Sequence, residues 1–88
     1  MSRQDLAPRV KELIVRRLKL EIDPKTIDDS APLFGEGLGL DSIDALEIVL
    51  ELQRSFGVEI GDEEVGRRVL RSVNTIVEFI ESRRELAG

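Results

Sequence analysis

The chain has 88 residues, 13 of them basic and 18 acidic, with no histidine and no cysteine. These counts exclude a disulfide frame, a thiol nucleophile, a thiolate or imidazole metal site and a Ser-His-Asp triad. A net charge of −5 and an absence of tryptophan and tyrosine argue against nucleic acid or an anionic membrane as a ligand.

The first periodic stretch runs from Asp5 to about Lys19, with Leu6, Val10, Leu13, Ile14 and Leu18 at helical spacing. Pro8 is tolerated in a first turn, which favours Asp5 over Ser2 as the N-cap. Residues 20–41 have no clean period and hold Pro24, Pro32, Gly35, Gly37 and Gly39, so they read as a long loop. Ile22, Ile27, Leu33, Phe34, Leu38 and Leu40 are scattered through it and are expected to pin it over the core.

A second helix is expected from Ser42 to Phe56, capped by Asp41, with Asp44 in its first turn and Gly57 ending it. Ala45, Leu46, Val49, Leu52 and Phe56 are assigned to its buried face, and Asp44, Glu47, Glu51 and Ser55 to the opposite one. Ile43 and Leu50 fall on a flank beside Glu47 and Arg54, and Arg54 is placed to pair with Glu47 or Glu51. Val58 and Ile60 form an extended link too short to make a sheet. Asp62-Glu63-Glu64 then opens a short helix to about Leu70, and Ser72 or Asn74 caps a last helix carrying Ile76, Val77, Phe79, Ile80 and Leu86.

No apolar run exceeds three residues, so no segment reads as a transmembrane helix or signal peptide, and a cytoplasmic monomer is expected. The acidity is concentrated: residues 36–65 hold nine acids against one base, Arg54. Such a block is either a solvated face or a docking surface for basic partners. Gly35-Glu36-Gly37-Leu38-Gly39 lacks the Lys-Ser/Thr of a phosphate loop, and Asp28-Asp29-Ser30 lacks the ligand spacing of a calcium loop.

One stretch carries more: Leu38-Gly39-Leu40-Asp41-Ser42-Ile43-Asp44-Ala45-Leu46-Glu47. Seen alone, Asp-Ser at a helix start is a cap. The full stretch resembles the attachment site of the acyl carrier protein family, Leu-Gly-x-Asp-Ser-Leu at the start of the second helix, through Leu38, Gly39, Asp41 and Ser42, with Ile43 replacing leucine. The likeness extends to chain length, acidity, the long first loop, Glu47, Phe56, Ile60 and the start of the third helix, so residues 1–88 are read as a single acyl carrier domain. The resemblance implies an all-α four-helix bundle of acyl-carrier type, with a long first loop and a short third helix.

It further implies a non-enzymatic, discrete acyl carrier. A phosphopantetheinyl transferase would attach 4′-phosphopantetheine from coenzyme A to Ser42, beside Asp41. The arm would carry acyl groups as thioesters in fatty acid, polyketide or specialised lipid biosynthesis. Asp44, Glu47, Glu51, Ile43 and Leu50 would dock acyl-loading and acyl-processing enzymes that present basic patches. Gln53 and Arg54 stand where typical fatty-acid carriers have acids, and Arg67, Arg68 and Arg71 add a basic cluster after the third helix in a segment about two residues longer than usual, so a specialised carrier is as credible as a housekeeping one. The alternative from another class is an unmodified acidic helical adaptor for a basic protein partner.

Overall fold

The structure is a computed structural model describing residues 3–34 and 39–87, with side chains described for 6–34 and 39–83. The expectations for Glu36 and Leu38 and for the Leu86 side chain fall outside the described residues. Four helices follow in order: α1 (Arg3–Leu18), α2 (Ser42–Phe56), α3 (Glu63–Val69) and α4 (Val73–Ala87). No strand occurs among the described residues, in keeping with the all-α expectation.

The periodic apolar residues of α1 turn one face inward, and Leu6, Val10 and Ile14 are completely buried. The helix begins earlier than the sequence suggests, so Asp5 lies inside it and is not its cap. Pro8 is therefore an interior residue. Its missing N–H deprives the Gln4 carbonyl of its helical partner, and Pro8 itself is solvent-exposed. At the other end Leu20 N–H donates to the Val15 carbonyl at 3.0 Å and Lys19 N–H to the Arg16 carbonyl at 3.3 Å. This closing pair needs a left-handed residue, and Lys19 supplies it at φ 53°.

The long connection is ordered over its described part. Asp23 caps a 3-10 turn at Pro24–Thr26 by accepting from Lys25 N–H at 2.9 Å. Ile27, Leu33 and Leu40 are buried as expected, whereas Ile22 is exposed. Polar ties complete the anchoring. Lys11 pairs with Asp29, Asn74 N–H donates to the Asp29 carbonyl at 2.9 Å, and Leu33 N–H donates to the Arg71 carbonyl at 3.1 Å. Phe34 and Leu40 meet in an isolated parallel bridge.

α2 has the expected bounds, and its C-cap Gly57 is left-handed at φ 67°. α1 packs against α4 and α2, and α3 packs against α4. Asp62 caps α3 by accepting from Val65 N–H at 2.8 Å. Ser72, and not Asn74, caps α4. Its N–H donates to Thr75 Oγ1 at 2.9 Å, and Thr75 N–H donates to Ser72 Oγ at 3.3 Å. The core is aliphatic: Ile48 and Leu52 of α2, Val69 and Leu70 around the end of α3, and Val73, Ile76, Val77 and Ile80 of α4 close on α1.

Candidate functional site

The start of α2 is built by reciprocal capping. Gly39 is left-handed at φ 71°, and the chain then runs extended through Asp41 into the helix. Asp41 Oδ1 accepts from Ile43 N–H at 3.1 Å and Asp44 N–H at 3.0 Å. Asp41 N–H donates back to Asp44 Oδ2 at 3.1 Å. Both carboxylates are thereby fixed, which holds Ser42 rigidly in the first turn.

Ser42 is exposed, and its hydroxyl has no hydrogen-bond partner among the described residues. Neither neighbouring carboxylate bonds to it, so nothing in this turn withdraws its proton. The Ile43 and Asp44 amides already serve Asp41, so they are not free to cradle an anion. What the turn provides is an exposed hydroxyl on a backbone that the caps hold in place.

Ser42 also stands on the wall of a cleft of about 820 Å³ between α2 and α3. Phe34, Leu40, Ala45, Val49, Ile60 and Leu70 give it an apolar lining, and Asp62, Glu63, Arg67 and Arg71 add charge. Arg67 Nη2 pairs with Glu63 at 3.2 Å along α3. The sequence does not give the lining of this cleft, because its walls come from three separate segments. Among the described residues no cluster of His, Cys, Asp or Glu could hold a metal ion.

The family model described as the phosphopantetheine attachment site matches residues 8–80. The chain belongs to this family. It is a phosphopantetheine carrier protein and not an enzyme. Covalently attached 4′-phosphopantetheine is the carrier's cofactor, and phosphopantetheinyl transferases and biosynthetic enzymes are its general partners. The residues present fit such a group, since Ser42 offers an exposed hydroxyl at the edge of an open cleft. Bound to a carrier, the group supplies a thiol at the end of a flexible arm. Among the described residues no helix of the carrier is long and apolar enough to cross a membrane.

The remaining residues singled out in the sequence divide into three groups. Asp41 and Asp44 are brought together beside Ser42. Ile43 and Leu50 are exposed, at 71% and 52%, and Leu46 joins them at 59%. Leu46 was assigned to the buried face, but Ile48 takes that place and is completely buried. Ile48 lies one turn from Leu52, whereas Leu46 lies about 120° away at about 100° per residue. Glu47 and Glu51 point toward α1. Glu47 meets Arg17 at 3.9 Å, and Glu51 accepts from the Ser55 hydroxyl at 3.4 Å. Arg54 pairs with neither of them. It lines a separate depression of about 440 Å³ between α1 and α2, with Arg9, Arg16, Arg17, Lys19 and Glu51.

Proposed function

We propose that Ser42 is the attachment residue and that the protein is an acyl carrier in fatty acid, polyketide or specialised lipid biosynthesis. The Ser42 oxygen attacks the phosphorus of coenzyme A that bears the pantetheine, and the nucleoside bisphosphate leaves. A phosphodiester results, and the distal thiol carries acyl groups as thioesters. The observation that carries this reading is the exposed Ser42 hydroxyl, without a partner among the described residues, at a helix start fixed by the capping pair on the wall of an apolar cleft. Among the described residues no base of the carrier bonds to that hydroxyl, so its proton is assigned to the transferase. The apolar cleft supports alkyl cargo, which gains by leaving water.

Docking is assigned to α2. Ile43, Leu46 and Leu50 form one exposed apolar stripe, and Asp41, Asp44, Glu47 and Glu51 set the sign of the field around it. The deciding experiment incubates the purified protein with coenzyme A, magnesium and a broad-specificity phosphopantetheinyl transferase. Intact mass rises by one phosphopantetheine group, and Ser42→Ala abolishes the rise while keeping the helical circular-dichroism spectrum. A full rise in Ser42→Ala would move the site elsewhere. No rise in the wild type, under conditions that modify another carrier, would favour the unmodified adaptor.

A further inference from the structure

α3 contains a glycine in its interior that the folded chain does not require. Gly66 N–H donates to the Asp62 carbonyl at 3.0 Å, and its own carbonyl accepts from Leu70 N–H at 2.9 Å. Its backbone is ordinary helix, outside the left-handed region. A Cβ built on it would meet only Ile60 Cγ2, at 3.6 Å, which is normal contact distance. Neither conformation nor packing therefore calls for glycine, and glycine is a poor choice inside a helix of seven residues because its unfolded chain has more freedom to lose. The helix bears bulky valines on either side, at Val65 and Val69. Gly66 is buried and lines the cleft, as does Ile60, whose Cγ2 is the atom that a Cβ would meet.

We propose that Gly66 is a specificity-determining residue, whose missing side chain keeps the α3 wall of the cleft open so that a long alkyl chain can lie against the helix backbone. The proposal rests on the acyl-carrier reading above. A side chain at this position would narrow the cleft between α2 and α3 and limit the length of chain it accepts. Gly66 acts on the alkyl part of the cargo and has no role in attachment at Ser42.

The test loads the phosphopantetheinylated protein with a series of saturated chains from butyryl to palmitoyl. The readout is the thermal-unfolding midpoint of each loaded form relative to the unloaded form. A cargo that is sheltered only in the native state raises the midpoint. In the wild type the increment grows with chain length. In Gly66→Ala the unloaded midpoint rises by roughly 4–8 °C, as for any compatible glycine-to-alanine change in a helix of so small a domain, while the increment for the longest chains falls. Gly66→Leu removes the increment from shorter chains onward; if it fails to fold, Gly66→Ala alone decides. Length-dependent increments that are identical in Gly66→Ala and wild type would overturn the role of Gly66 and leave the acyl-carrier reading standing. A lower unloaded midpoint in Gly66→Ala would also overturn it, since the protein itself would then need the glycine. No increment for any chain in the wild type would remove the sheltered cargo on which the proposal depends.

Discussion

Asp41 and Asp44 hold each other at the start of α2, and this changes what can be asked of them. Both are bound to backbone amides, so replacing either disturbs the helix start as well as the surface charge. Asp41→Ala is expected to cost about 1 kcal/mol in chemical denaturation, because two amides lose their acceptor, while Asp41→Asn retains most of the stability. Equal losses in the two variants would show that charge and not capping holds the turn. Asp28 makes the same kind of turn in the long connection. The Ser30 backbone N–H and hydroxyl, both bonded to its Oδ1, hold its carboxyl below the ordinary 3.8, and Lys11 adds to the effect. A lowered folded-state pKa means that the stabilisation is present above the ordinary carboxylate range. It is lost as pH falls through the folded value, below 3.8. Ser30→Ala should move the Asp28 titration, followed by carboxyl carbon NMR, back toward 3.8.

At the scale of the element, α2 separates its two apolar faces sharply. Leu52 is completely buried and Leu46 is 59% exposed. Leu52→Ala is expected to destabilise by about 2–5 kcal/mol, and Leu46→Ala by no more than about 0.5 kcal/mol. Denaturant midpoints of the two variants check this, and similar losses would mean that Leu46 is packed. The sequence made the helix and its ends legible, because Asp41, Asp44 and Gly57 are local signals read within a few residues. It put Leu46 on the buried face and left Ile48 unassigned, although about 100° per residue sets Ile48 one turn from Leu52 and Leu46 about 120° from it. The start of α1 differs because Pro8, best tolerated in a first turn, sits inside this helix, where the packing of Leu6, Val10 and Ile14 outweighs its local cost.

Over the whole molecule, the acidic middle of the chain does not stand alone. Arg17 of α1 reaches Glu47, and Arg9, Arg16 and Lys19 gather with Arg54 around the outer side of α2 near Glu51. The charge carried by α2 itself is therefore graded, acidic in its first turns and mixed toward Phe56, while Arg67 and Arg71 stand across the cleft from its start. Glu47→Lys tests docking without touching the capping pair. Its exposed contact with Arg17 contributes at most about 1 kcal/mol, so folding is little affected. The rate of modification by the transferase should fall at low salt and recover most of the way to wild type at high salt, where the Debye length shrinks to about 3 Å at 1 M. An equal loss at both salt concentrations would show that Glu47 acts through shape and not through charge.

The sequence by itself determined the helical class, the bounds of α2 and the serine that stands in its first turn. Those properties depend on local periodicity, on caps and on a contiguous motif, all of which are written within one stretch of chain. It also excluded chemistry that needs histidine or cysteine, because composition has no tertiary component. Only the tertiary structure decided that Glu47 meets Arg17, and that Phe34, Ile60 and Gly66 share a cleft with Ser42. Each of these depends on which segments pack side by side, and residues distant along the chain become neighbours only when the common apolar core closes.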